Sequence, residues 1–299
     1  MARSVASAPV PAVSAVVELL KPITWFPPMW AYACGLVSSG APFSANWQGV
    51  VAGVLVAGPL VCGTSQAVND WYDRHVDAIN EPGRPIPSGR IPGTWGFTIA
   101  VAWTLLSIAV ATLLGPWGFL AALVGLALAW AYSAPPIRLK RNGWWGNTAV
   151  AACYEGLPWF TGAVVMTLAF PDWRIVAVAA LYSVGAHGIM TLNDFKSIEG
   201  DKRSGIDSLP VLLGAGPAAR LACVVMVVPQ VVVVCLLLAW DRPLYAAAIG
   251  VLVVTQLFLM RRLLAAPRAR APWYNATGVS AYVTGMLIAA FALRGLAGV

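Results

Sequence analysis

Charge is scarce in this chain. Only 10% of its 299 residues are Asp, Glu, Lys or Arg, against 59% hydrophobic, and the mean hydropathy is +0.75. So little polar material excludes a soluble protein of this length and places the chain in a bilayer. Paired cysteines are missing too. Cys34, Cys62, Cys153, Cys223 and Cys235 stand singly in apolar runs, without the spacing of a metal site, and read as small apolar residues. The N-terminus lacks a continuous apolar core and is broken by Pro9 and Pro11, so residues 1–20 read as a cytoplasmic lead-in and not as a cleaved signal peptide. Neither a soluble domain nor a low-complexity tail is visible.

Long apolar runs are what is present, near residues 22–39, 49–69, 95–113, 116–134, 147–169, 173–193, 218–239, 243–260 and 276–293. A span needs about 20 residues, so the expectation is a single all-α polytopic domain of about nine transmembrane helices. Threading the chain through them puts sixteen of the 19 Lys and Arg residues on one side, leaving Arg174, Arg242 and Arg294 on the other. The basic side is therefore cytoplasmic. The net charge of +7 reports this topology and contact with anionic headgroups of the bilayer, and argues against nucleic acid as a partner.

Acidic residues, scarce overall, are concentrated. The strings NDWYDRHVD (Asn69 to Asp77) and NDFKSIEGD (Asn193 to Asp201), with Glu81 and Asp207, hold eight of the 12 carboxylates. Each string lies at the cytoplasmic end of a run, after the second and the sixth. That offset suggests two parallel pseudo-repeated halves of four helices, roughly 22–140 and 147–265, followed by a last helix at 276–293. On a helix, Asn69, Asp73 and Asp77 fall within about 80° of one another, with Asp70 close to Asp77. Carboxylates about 4 Å apart repel by roughly 4 kcal/mol at an effective dielectric near 20. Magnesium relieves such a stripe, because it accepts one or two carboxylates and completes its shell with water and phosphate oxygens. In the second string Ser197 stands where the first has Asp73, so Asp194 and Glu199 become the further candidates beside Asn193 and Asp201. The first string is accordingly expected to hold metal more firmly. The plainer alternative is that these acids are solvated helix ends paired with Arg74, Lys196, Lys202 and Arg203.

Basic, turn-rich segments follow: NEPGRPIPSGR, KRSGIDSLPVLLG and AYSAPPIRLKRNGWW. Arg84, Arg90, Arg138, Lys140, Lys202 and Arg203 are candidates to clamp a diphosphate through charge-assisted bonds, although each also serves as a topology signal. Glu155 lies inside an apolar run, where a charge costs roughly 2.5 kcal/mol or more, so a functional role in a pocket competes with a pairing to Arg141 or Tyr132. His187 is either a substrate ligand or an interhelical hydrogen-bonding residue. Trp30 and Trp159 are either belt tryptophans or pocket walls.

The strings NDxxDxxxD, YSxPPxRLK and the second Asn-Asp motif together resemble the UbiA-type intramembrane prenyltransferases, over roughly residues 15–297. Longer strings, among them LKPITWFPPMWAY, YEGLPWF, GAHGIMTLNDFKSIEGDKRSG and PWYN, are similar to the pigment-esterifying branch of that family. The resemblance implies a UbiA-type bundle, Mg2+ bridged by a diphosphate, and a bacterial inner membrane, cytoplasmic or intracytoplasmic, with the site facing the cytoplasm. It implies geranylgeranyl or phytyl diphosphate and bacteriochlorophyllide as substrates, with other pigment-biosynthesis or photosynthetic membrane proteins as candidate partners. By this carry-over Asn69, Asp73, Asp77, Asp194 and Asp201 are catalytic, and Tyr132, Arg138 and Lys140 lie on the phosphate-binding segment. The rivals are another UbiA-type prenyltransferase of the chlorophyll or quinone pathway, a cation-coupled transporter, whose ion sites lie nearer the midplane, and a pigment scaffold without turnover.

Overall fold

The computed structural model describes residues 9–294 and 296. The first eight residues of the expected lead-in, Arg3 among them, lie outside the described residues. Twelve helices account for the architecture: α1 (Val13–Leu20), α2 (Phe26–Ser38), α3 (Phe43–Asn80), α4 (Trp95–Ala111), α5 (Gly115–Ser133), α6 (Gly143–Thr167), α7 (Trp173–Asn193), the short α8 (Ile198–Ser204) and α9 (Leu209–Leu213), α10 (Ala215–Ala239), α11 (Pro243–Ala265) and α12 (Pro267–Arg294). There is no β-strand among the described residues.

Seven stretches in the described residues are long and apolar enough to cross a membrane. One of them, Trp95–Ser133, runs through both α4 and α5, and Gly115 at φ 72° breaks it in the middle. α2, with 13 residues, falls short of a full span of about 20. The chain is thus an all-helical integral membrane protein, with fewer uninterrupted spans than there are apolar runs.

Two helices that carry site residues are locally wide. α3 has a π segment at Val56–Cys62 containing Pro59, and α6 has one at Ala152–Gly156 just before Pro158. Proline has no N–H to give and crowds the carbonyl four residues back, and a wider turn absorbs the misfit. The two π segments meet, with Cys62 Sγ 3.5 Å from Tyr154 Oη.

α2 lies against α6 through bare backbone. A Cβ built on Gly162 would stand 2.8 Å from the Leu36 nitrogen, and one on Gly35 2.9 Å from the Gly162 Cα. Small residues at such a crossing let dispersion act between main chains, which is the chief attraction available between helices in lipid. Beside it, Trp159 stacks on Tyr182 at 5.7 Å and Tyr182 meets Tyr282 edge-on at 5.3 Å, all three fully buried. α1 packs Leu19 and Leu20 against Ala67 and Val68 of α3, which brings the N-terminal segment to the first acidic string.

Gly162→Leu is expected to destabilise the bundle by roughly 1–3 kcal/mol or more through overpacking. Gly250→Leu, at a position with nothing within 4 Å, is expected to have no effect. Thermal unfolding of both variants in detergent separates these outcomes.

Candidate active site

The acids of the first string lie on the C-terminal end of α3, Asp70 and Asp77 buried and Asp73 half-buried. Asp70 is 1% and Asp77 7% exposed. Four cations from three other segments reach them. Lys21, just past α1, places its Nζ 2.7 Å from Asp70 Oδ1, and Arg84 contacts Asp70 at 3.3 Å, Asp77 at 2.8 Å and Glu81 at 2.6 Å. Asp73 is held by Lys140 and by Arg138, the latter at 3.3 Å. Asn69 donates to Asp73 Oδ2 at 3.1 Å and to Ser133 Oγ at 3.1 Å. Desolvation lowers the pKa of Lys140, opposed by the charge of Asp73.

Lys21 and Arg138 both adopt left-handed backbone, at φ 47° and 43°. This conformation costs an L-residue about 1–2 kcal/mol. Its occurrence at two cations of one cluster marks strain concentrated at a functional site.

The second string is differently provided. Asp194 Oδ2 accepts from Asn147 Nδ2 at 3.0 Å, Asp201 Oδ2 accepts from Ser197 Oγ at 3.1 Å, and Asn193 Oδ1 accepts from Asn275 Nδ2 at 2.7 Å. Neither Asp194 nor Asp201 has an ion-pair partner among the described residues. Burial pushes the Asp201 carboxyl above its ordinary value, against bonds from Ser208 and Ser197. Tyr132 joins the two strings, since its hydroxyl sits in the field of Asp194, Asp73 and Asp201 together.

The structure sorts the remaining residues named from the sequence. Glu199 is two-thirds exposed and pairs with Arg268 at 2.7 Å, because α8 turns it outward, away from Asp194 and Asp201. Lys202 and Arg203 are exposed beside Glu199. Arg90 is occupied by Glu18 of α1 and by the Gly83 carbonyl at 2.7 Å, and so does not reach the acids. Glu155 is 5% exposed with no hydrogen-bond partner for Oε2, and the pairing to Arg141 or Tyr132 is not formed; its neighbours are Cys34 and Tyr282. Trp159 is a core residue donating to Ser38 Oγ at 3.2 Å, and Trp30 donates to the Val283 carbonyl at 3.0 Å. His187 lies against Trp144 at 5.8 Å. Sequence reasoning missed Lys21, Ser133, Asn147 and Asn275 as site residues. The only signals for them were their positions in LKP, AYSAPP, RNGWWGN and PWYN, each at one end of an apolar run.

Among the described residues no three His, Cys, Asp or Glu side chains converge as a ready metal cage. Magnesium does not require one. The donors present are hard oxygens from Asn and Asp, and one buried oxygen, Asp70 Oδ2, has no partner. These residues fit a magnesium ion that shares its shell with phosphate.

Buried carboxylates facing cationic and amide side chains, gathered at one end of a helical bundle, form a polar site whose donors suit an anion together with a divalent cation. The sequence profile of the UbiA prenyltransferase family matches residues 24–295, and the chain belongs to that family: it is a prenyltransferase. Proteins named bacteriochlorophyll synthase 33 kDa chain from Cereibacter sphaeroides and Rhodobacter capsulatus are 60% and 56% identical to it, each alignment covering 96% of this chain and 95% of the relative. A solved UbiA homolog from Archaeoglobus fulgidus bound to GPP and Mg2+ shares the fold at a TM-score of 0.71 and 21% identity, over 91% of this chain and 99% of that one.

Lys140→Met leaves Asp73 with the charge of Arg138 and the amide of Asn69. The expected loss is roughly 2 kcal/mol, less than the ~3–5 kcal/mol of a fully orphaned buried charge. Lys202→Met, at an exposed position, is expected to change stability by less than about 0.5 kcal/mol. Identical thermal unfolding of the two variants would mean that the Asp73 cluster does not hold the site together.

Proposed function

We propose that this enzyme esterifies the propionate carboxylate of bacteriochlorophyllide a with geranylgeranyl or phytyl diphosphate, releasing diphosphate. The observation that carries the reading is 60% identity, along nearly the full length of both chains, to a protein named bacteriochlorophyll synthase. The reading includes nine crossings, counting α2 and taking α4 and α5 separately, and two four-helix halves with the acidic strings at matching places. It also places the site on the cytoplasmic face of a bacterial inner membrane, which the sixteen-to-three division of basic residues supports.

Asn69, Asp70, Asp73 and Asp77 on one side, and Asn193, Asp194 and Asp201 on the other, are the residues that would hold Mg2+. When bound, the ion supplies Lewis-acid neutralisation of the diphosphate charge. The protein's own part is electrostatic and steric. Arg84, Arg138 and Lys140 exchange their carboxylate partners for diphosphate oxygens, and Tyr132 donates its hydroxyl between the two strings. The bond from the allylic carbon to diphosphate breaks with its electron pair leaving on oxygen, and a carboxylate oxygen of the pigment forms the new bond to that carbon. The acceptor is already ionised at neutral pH, since a carboxyl has a pKa of about 4. No proton has to be removed, so the step asks for no general base. Cations preorganised in a partly dry site stabilise the leaving charge more than water would.

Asn147 and Asn275 act behind the second string by orienting Asp194 and Asn193. They compensate for the carboxylate that Ser197 does not provide. A second position without an ion pair among the described residues accepts a divalent ion without first breaking one, whereas the first must displace Lys21, Arg84, Arg138 or Lys140. The relative firmness of the two positions is therefore set by more than the number of carboxylates.

The test is ester formation by purified protein with Mg2+, geranylgeranyl diphosphate and bacteriochlorophyllide, followed by mass spectrometry. Asp73→Asn and Asp201→Asn are each expected to lose at least about a hundredfold in rate, the scale on which one preorganised electrostatic contact acts. Asn147→Leu is expected to raise the Mg2+ concentration for half-maximal rate by about 10–100-fold, as loss of an outer-shell partner does. Ester formed at the wild-type rate by both aspartate variants in the presence of a chelator would rule the reading out.

A further inference from the structure

Below the second acidic string, α6, α7 and α10 leave an open groove of about 290 Å³, walled by Trp144, Thr148, Ala151, Val184, His187 and Val225. The wall is largely apolar, and His187 is its one imidazole. The residue is 8% exposed and its ring lies against the Trp144 indole, with centroids 5.8 Å apart and planes 31° from parallel. The imidazole also lies next to the Trp144 backbone. No side-chain hydrogen-bond partner for the ring is found among the described residues. A buried imidazole whose ring orientation is fixed by an indole, and whose nitrogens are not taken up by neighbouring side chains, is suited to ligate a metal.

The position of the groove relative to the acids is set by one helix. His187, Thr191 and Asp194 follow one another at i, i+4 and i+7 on the same face of α7, so the imidazole lies about 10 Å deeper in the membrane than Asp194. That face is continuous in hydrogen bonds. Thr191 Oγ1 donates to the His187 carbonyl at 2.9 Å, and Asn147 Nδ2 bridges Thr191 Oγ1 at 3.3 Å and Asp194 Oδ2 at 3.0 Å. A ligand fixed at His187 is therefore held in constant register with the second string.

We propose that this groove seats the acceptor's tetrapyrrole ring, with His187 as axial ligand to the central magnesium and the propionate arm reaching along α7 toward the acids. The assignment rests on the reading of the acceptor as bacteriochlorophyllide. A flat macrocycle with an apolar edge, a coordinatively unsaturated metal and one carboxylate arm matches the groove feature by feature. The apolar wall and the Trp144 face take the ring, an imidazole nitrogen takes the metal, and the open side lets the pigment arrive. An isoprenoid tail offers nothing for the imidazole to bind.

The proposal is tested on the purified protein by the absorption bands of bound bacteriochlorophyllide, which report axial ligation without turnover, and by the Michaelis constants of both substrates. For His187→Phe the ligation-sensitive band is expected to move, and KM for the pigment to rise by about tenfold or more, equivalent to losing roughly 1.4 kcal/mol of binding. KM for geranylgeranyl diphosphate is expected to stay at the wild-type value, which also shows that the variant is folded. His187→Gly is expected to regain the band with added imidazole, and magnesium-free bacteriopheophorbide to bind wild type and His187→Phe alike. Val184→Trp, which fills the groove from its 56% exposed position and spares the imidazole, is expected to raise pigment KM as well. An unmoved band and an unchanged pigment KM in His187→Phe would overturn the proposal while leaving the esterification intact. Failure of wild type to make ester, with the band still reporting ligation, would overturn the proposed reaction and leave the site standing.

Discussion

Four cations converge on three carboxylates at the C-terminal end of α3, in a chain with too little charge elsewhere to dilute them. Neither sign could be buried there alone, because an uncompensated ion in a medium of low dielectric costs several kcal/mol or more. Much of the rest of the structure is arranged to deliver those partners. α1 folds back so that Lys21 reaches Asp70, the turn after α3 returns Arg84, and the loop after α5 brings Arg138 and Lys140. Two of the four are held in left-handed backbone. The same cations that neutralise the acids are the groups a diphosphate would need, so stability and substrate binding draw on one set of charges.

The bundle beneath supplies rigidity of another kind. Where α2 crosses α6 the helices touch through glycine, and the Trp159, Tyr182 and Tyr282 rings fill the space beside that crossing. Lipid offers no hydrophobic drive for helices to associate, so close backbone contact and hydrogen bonds between helices do the work. A bundle packed this tightly is a firm base for side chains that must stay in register across several helices.

Much of this was legible in the chain before its structure. Membrane residence follows from composition, and the PPIRLK segment was expected to set Arg138 and Lys140 on the side of the acids, where both meet Asp73. Other features were hidden for physical reasons. Hydropathy sees apolar length but not helix geometry, so the π segments inside α3 and α6 leave no mark in the linear pattern. Asn147 and Asn275 carry no charge and stand among aromatic residues, so nothing in the linear pattern sets them apart. Glu199 lies in the acidic string by sequence, yet the turn of α8 gives it to Arg268. Lys21 looked like a topology signal because its partner is 49 residues away.

The π segments of α3 and α6 carry a consequence for how such a molecule can change over time. A helix that spans a membrane has one angular phase, and its lipid-facing stripe normally dictates where every later side chain must point. Widening by one residue at Val56–Cys62 or Ala152–Gly156 offsets that phase by about 100°. The lower part of each helix can then keep its contract with the lipid while the upper part is aimed independently. Reactive faces and greasy faces thereby become separately adjustable, and an insertion that would scramble an uninterrupted helix is absorbed between them.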